Sequence, residues 1–137
     1  MKRRLTARDL RFLSRQRVVR VATANGRGTP WAVPVCHAVD GGVVYFGSGR
    51  DGIKVRNIAR TRTVALVADR YSDDWGRLRG LAVVGRAAIF SRGPVFERGV
   101  RLLYRKYPQY RRQAPLDPSD SVIVRVTPTR AMSWGEQ

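Results

Sequence analysis

The sequence predicts a mainly β chain: six or seven antiparallel strands closing, or nearly closing, into a barrel, with two or three short helices at its periphery. Three observations predict it. Runs rich in β-branched residues recur along the chain. The first of them are joined by tight glycine turns, which favour antiparallel neighbours over parallel crossovers. Helical periodicity is confined to short stretches. The 137 residues suit one domain spanning 1–137, and 43% hydrophobic residues are enough for a core, so whole-chain disorder is excluded.

Thr6 caps a first helix running to about Gln16, with Asp9 three positions on as a capping-box partner and Leu10, Phe12 and Leu13 as its apolar side. Arg17 to Ala24, with Val18, Val19, Val21 and Thr23, is a strand. Asn25-Gly26-Arg27-Gly28 turns it into a second strand, Thr29 to Val39, which Pro30 and Pro34 mark as an edge or a bulged strand. Asp40-Gly41-Gly42 turns into a third, Val43 to Gly47, so the three form a meander. A polar loop, Ser48 to Gly52, leads to a short helix, Ile53 to Arg60, and then to a strand from Thr63 to Asp69. The loop Tyr71 to Gly76 precedes a strand from Leu81 to Phe90, with Gly85 as a bulge. Pro94 opens a helix on which Phe96, Val100, Leu103 and Tyr107 recur at helical spacing, and Pro108 ends it. Residues 109–120 read as a basic surface loop, 121–127 as a strand and 131–134 as a last short strand.

Charge narrows the class of partner. Lys+Arg number 27 against Asp+Glu 10, a net charge of +17, and only Lys2, Lys54 and Lys106 are lysines. Such a field favours anions: nucleic acid, acidic lipid or a phosphorylated cofactor. No apolar run approaches the roughly 18 residues that span a bilayer, and no secretory segment follows the basic start Met1-Lys2-Arg3-Arg4. The expectation is a soluble cytoplasmic protein that does not engage membranes. Cys36 is the only cysteine and His37 the only histidine, so no disulfide framework and no multi-Cys/His metal site exists. Neighbours on one strand point to opposite faces, which is poor geometry for a Cys-His catalytic pair. His37 reads as structural.

Ser48-Gly49-Arg50-Asp51-Gly52-Ile53-Lys54-Val55-Arg56-Asn57 is the most informative segment. Backbone amides at a helix start, together with Arg50, Lys54 and Arg56, make an anion seat, against the plain reading as a basic turn. It has neither the Walker nor the dinucleotide-fold glycine pattern. Trp31, Val33 and Pro34 offer a flat apolar wall or simple barrel packing. Asp73 and Asp74 suit capping or ion pairing better than joint acid-base work, and Trp75 suits stacking on a planar ligand. Tyr104 to Arg112 interleaves aromatics with charge as single-stranded nucleic-acid binders do, but no RNA- or DNA-binding module spacing accompanies it.

The ordered set resembles a known family. Arg17-Val18-Val19-Arg20-Val21-Ala22-Thr23 followed by Gly28-Thr29-Pro30-Trp31-Ala32-Val33-Pro34-Val35 is similar to the opening hairpin of the pyridoxamine-phosphate-oxidase-like split β-barrel flavoproteins. Lys54-Val55-Arg56-Asn57-Ile58 matches that family's Lys-x-Arg-Asn-Leu/Ile helix. Asp69-Arg70-Tyr71-Ser72-Asp73-Asp74-Trp75, the stretch Val124 to Arg130 and Ser133-Trp134-Gly135 look like its actinobacterial subgroup of deazaflavin (coenzyme F-420)-dependent enzymes. The chain departs from that pattern at Gly52-Ile53, where a further cation is usual, and at Leu78 to Ala82, where a Trp-rich run is usual.

The resemblance implies a homodimer with two cofactor sites at the subunit interface. It implies that Ser48, Arg50, Lys54, Arg56 and Asn57 meet the cofactor phosphate. The ring would lie by Trp31, Val33 and Pro34 with Trp75 close. The implied reaction is hydride transfer between coenzyme F-420 and a small electron-poor substrate, with FMN as the alternative cofactor and a non-catalytic flavin or anion carrier as the alternative role. No catalytic residue is assigned; Tyr71 and Asp74 are candidates only.

Overall fold

The computed structural model describes residues 1–2 and 4–135; Arg3, in the basic start, and Glu136 and Gln137 lie outside the described residues. Seven antiparallel strands form one sheet in the order β2-β1-β5-β6-β7-β4-β3. Helix α1 (Ala7–Arg15) precedes β1 (Val19–Ala24), β2 (Pro30–Val35), β3 (His37–Asp40) and β4 (Val43–Gly49). Helix α2 (Ile53–Thr61) leads to β5 (Thr63–Arg70), a 3-10 turn (Trp75–Arg77) and β6 (Arg79–Phe90). Helices α3 (Pro94–Lys106) and α4 (Tyr110–Gln113) precede β7 (Ser121–Gly135).

The capping box of α1 forms as its residues predict: Asp9 N–H donates to Thr6 Oγ1 at 3.1 Å and Thr6 N–H to Asp9 Oδ2 at 2.9 Å. The meander does not form. The predicted Thr29-to-Val39 strand breaks at Cys36 into β2 and β3, which lie at opposite edges of the sheet. Each closes a hairpin with its other neighbour, β1·β2 and β3·β4. Strands one residue apart in sequence can occupy both edges only if the sheet curls until those edges meet. The chain at Cys36 therefore joins the barrel where hydrogen bonding does not. Pro30 and Pro34 are accommodated because β2 is an edge strand with one bare side.

Other boundaries shift for local reasons. Strand β4 runs on to Gly49 because β7 pairs with it as far as Gly49↔Ser121, so the polar loop is shorter than the sequence suggests. The two predicted C-terminal strands are one, β7. Pro128 falls where the register with β6 slips between Val84 and Gly85, so its missing N–H removes no ladder bond that a regular strand would need. Thr129, the extra residue, donates its hydroxyl to Val84 O at 3.0 Å. The basic loop after Pro108 contains the single turn of α4.

Two apolar clusters result. Inward side chains, among them Val19, Val21, Phe46, Leu66, Leu81 and Val124, fill the barrel beneath Phe12 and Leu13 of α1. On the outside, α3 packs Phe96, Leu103 and Tyr107 over Ala38, Tyr45 and Ile123 of β3, β4 and β7. The rest of the outer face carries Ala22, Ala32, Ala65, Val67, Ala82 and Val84, all half-buried or exposed. They are direct cross-strand neighbours in the pairs Ala22↔Ala32, Ala22↔Ala65, Ala65↔Val84 and Val67↔Ala82. No helix among the described residues is long and apolar enough to cross a membrane.

Candidate functional site

Helix α2 begins at Gly52, which has no side chain to cap it, and its first turn carries no acidic residue. Its leading amides therefore face outward without a carboxylate competitor. Beside that start lies a cleft of about 380 Å³ lined by Asn25, Thr29, Pro30, Trp31, Ile53, Arg56 and Asn57. The β1–β2 turn forms its wall because Asn25 Oδ1 accepts from Arg27 and Thr29 N–H at 2.9 and 3.0 Å. Trp31, at the inward-facing register of edge strand β2, is 45% exposed and offers a ring to the cleft.

The predicted residues divide sharply. Trp31, Arg56 and Asn57 share the cleft. Asn57 is buried and donates its amide to Thr23 Oγ1 at 3.0 Å, tying α2 to β1, so it positions the helix rather than meeting a ligand directly. Lys54 is half-buried with no carboxylate partner among the described residues, and burial pulls its ammonium below the ordinary lysine range. Ser48 is buried and donates to Gly49 O at 3.1 Å. Its hydroxyl lies 3.8 Å from where a Cβ on Gly52 would stand, beneath the start of α2. Arg50 is turned away: its guanidinium donates to Pro118 O at 2.6 Å, clasping the turn before β7. Val33 packs against the barrel core, and Pro34 stands exposed on the outer face.

Trp75 is not brought to this cleft within one chain. It follows the Arg70 end of β5, whereas Trp31 pairs with Thr23, whose β5 neighbour continues the Ala22↔Ala65 register to Val64. Six strand residues separate those levels, about 20 Å. Trp75 is 74% exposed and its indole N–H donates to Tyr71 Oη at 3.3 Å. Asp74 accepts from Gly76 N–H at 3.0 Å and caps the 3-10 turn, the bland role its sequence suggests.

His37 is fully buried, with Nε2 donating to Leu13 O at 2.8 Å. Burial drives its pKa down to about 4, so it is neutral at pH 7. No group of three or more potential metal-ligating side chains occurs among the described residues. Sequence reasoning missed Asn25, Thr29, Pro30 and Ile53 as cleft residues. The first three were signalled only by the turn pattern and Ile53 only as the start of a helix, and neither signal says what the residue faces.

The sequence matches the family described as Pyridoxamine 5'-phosphate oxidase over residues 5–135. No curated protein matches it. Among solved structures, the chain is similar to conserved hypothetical protein Rv2991 from Mycobacterium tuberculosis, at 21% identity and TM-score 0.80, over 98% of this chain and 90% of that one. It is similar to an F420 reductase at 28% identity and TM-score 0.71, over 89% of this chain and 94% of that one. It also shares its fold with HutZ, the heme storage protein of Vibrio cholerae, at 12% identity and TM-score 0.77, over 96% and 94% of the two chains.

Proposed function

The chain belongs to the pyridoxamine 5'-phosphate oxidase family, and from that premise we propose that it is a cytoplasmic oxidoreductase that passes a hydride between coenzyme F-420 and a small electron-poor organic substrate. The observation that carries this reading is the cleft at the start of α2, where an exposed indole, Trp31, and a guanidinium, Arg56, stand beside uncapped helix amides. A phosphate and a flat ring are what that donor set fits. The 28% identity to an F420 reductase favours the deazaflavin over FMN. His37, the only histidine, is locked in the core, which disfavours histidine-ligated haem as the occupant.

When bound, the deazaflavin supplies the hydride chemistry. The chain holds the phosphate with Lys54, Arg56 and the first amides of α2, and Trp31 shields one side of the ring from water. A half-buried lysine with no carboxylate competitor suits this task, because an incoming phosphate repays the cost of desolvating it. The apolar outer face built on Ala22, Ala65 and Val84 is the surface through which two copies pair. Pairing brings a second chain against edge strand β2 and its Trp31.

Fluorescence titration with coenzyme F-420 and FMN tests the reading. We expect saturable, micromolar binding of the deazaflavin and at least about tenfold weaker binding in Lys54→Ala. Preference for FMN would keep the site and change the cofactor. Binding of neither, or unchanged affinity in folded Lys54→Ala, would sink the assignment.

A further inference from the structure

The barrel end closed by α1 carries a second cluster of charge, remote from α2. Arg70 and Arg79 are direct cross-strand partners at the end of the β5–β6 ladder. Like charges placed opposite one another destabilise a sheet. Arg79 lies with its guanidinium carbon 4.2 Å from the Phe12 ring centroid, so it stands over α1 rather than reaching into solvent. Arg8 adds a cation to the first turn of α1, where the helix dipole already favours negative charge. Desolvation, then the charges of Arg8, Arg70 and Arg11, lower the affinity of Arg79 for its proton, and Asp9 partly opposes them.

Counter-charge is scarce among the described residues. Asp9 lies in the same corner, but it is 3% exposed and is committed to the Thr6 cap and to Lys2 Nζ, 2.6 Å away. Asp69 pairs with Arg20. Arg79 has no carboxylate hydrogen bond or ion pair of its own among the described residues; its guanidinium donates to Arg8 O at 3.5 Å, and Asp9 acts on it through its charge alone. Against these cations opens a cleft of about 400 Å³, lined in part by Lys2, Thr6, Arg8, Arg79 and the half-exposed Trp134, with the carboxylate of Asp9, held by Lys2, as its one acidic lining residue among those described. Two local rules are broken at one corner, the opposed arginines and the helix cation, and among the described residues only the buried Asp9 and the Phe12 ring offset them. Such conflicts concentrate at functional sites.

We infer that this corner is a binding site for a small organic anion carrying two or more carboxylate or phosphate groups. Arg79 and Arg8 take the anion, Arg70 reinforces the field at the rim, and Trp134 forms one wall. The site is independent of the α2 cleft, and its failure would leave the cofactor assignment untouched.

Calorimetric titration of the full chain with citrate and with pyrophosphate, at constant ionic strength, tests it. Saturation by citrate identifies a carboxylate ligand class and saturation by pyrophosphate a phosphate one; either supports the site. Affinity should fall at least about tenfold in Arg79→Met, which keeps an aliphatic stem on Phe12, and in Arg70→Gln. Arg112→Gln, which removes the same charge from α4, should bind within about twofold of the parent. Without anion, Arg70→Gln should melt no lower than the parent, since it relieves an opposed pair. Equal weakening by Arg112→Gln, no saturable binding of either anion at about 10 mM, or a lower melting temperature in Arg70→Gln would overturn the inference.

Discussion

The outer face of the sheet has two halves built to different rules. Over β3, β4 and the first part of β7, the outward residues Tyr45 and Ile123 are large or branched and interlock with Phe96 and Leu103 of α3 and with Tyr107 at its C-terminal cap. Over β1, β2, β5 and β6 the outward residues are mostly alanines and valines left half-buried or exposed; α2 meets β1 and β6 from the inner side, through Asn57 on Thr23 and Ile58 in the barrel core. An antiparallel sheet that faces water on one side alternates apolar with polar residues. The α3-covered half has an apolar exterior because it has a cover within the chain. The bare half has an apolar exterior without one, and its small side chains leave a shallow hollow at Ala22, Ala24, Ala65 and Val84 that a protruding apolar surface can fill. The difference teaches where a second copy of the chain would find a surface to cover, and that pairing is the one proposed above.

The largest effect should come from the covered half. Leu103 is fully buried between α3 and the sheet. Leu103→Ala should cost about 2–5 kcal/mol of unfolding free energy, because the transfer loss is joined by a cavity that a helix pinned on three strands cannot close. Urea denaturation measures it. A cost below about 1 kcal/mol would mean that α3 is loosely docked and that the contrast between the halves is weaker than drawn.

The seam between the halves is the next test. There β2 passes through Cys36 into β3, and Tyr107 holds the join: its hydroxyl accepts from His37 N–H at 3.0 Å and lies within bonding distance of Arg17 O and His37 O. His37 is neutral in the fold, with a pKa of about 4 against 6.5 in the open chain. The open chain therefore takes up a proton first as the pH falls. The stabilisation tied to neutral His37 is complete above about pH 6.5, declines down to about pH 4, and amounts to about 3 kcal/mol over that window. His37→Leu should flatten the pH dependence of urea stability there. A parent protein equally stable at pH 7 and pH 4.5 would show that the seam opens to admit the charge.

Much of this was legible in the sequence because it is local. The Thr6–Asp9 box, the Asn25 turn and the Gly85 irregularity each depend on residues within a few positions, and each forms. The β2/β3 break was not legible. Nothing between Thr29 and Val39 marks Cys36 as a corner, since the break is imposed by closure of the whole sheet. The single β7 was hidden for the opposite reason: Pro128 is a local breaker, and a long-range register slip absorbs it. The candidate site divides the same way. Lys54, Arg56 and Asn57 sit on one short helix, and their proximity follows from sequence. The turning of Arg50 toward Pro118 and the distance of Trp75 from Trp31 depend on where distant segments come to rest.

The smallest effect on folding should come from the bare half, and it is the most informative. Ala65 is exposed at the centre of that face, paired with Ala22 on one side and Val84 on the other. In a single chain Ala65→Arg points a long cation into water and should change unfolding free energy by no more than about 0.5 kcal/mol. In a pair of chains joined through this face the same arginine is buried near its symmetry mate without a counter-charge, and the pair should fall apart. Sedimentation over a dilution series reads this directly: the parent should be dimeric and Ala65→Arg monomeric at the same concentration. Because edge strand β2 and Trp31 adjoin this face, loss of the pair should also weaken coenzyme binding. Lys54→Ala should weaken coenzyme binding and leave the pair intact. An Ala65→Arg protein that stays dimeric would mean the apolar outer face is not where the copies meet. A monomeric variant with parental coenzyme affinity would mean that one chain completes the site alone.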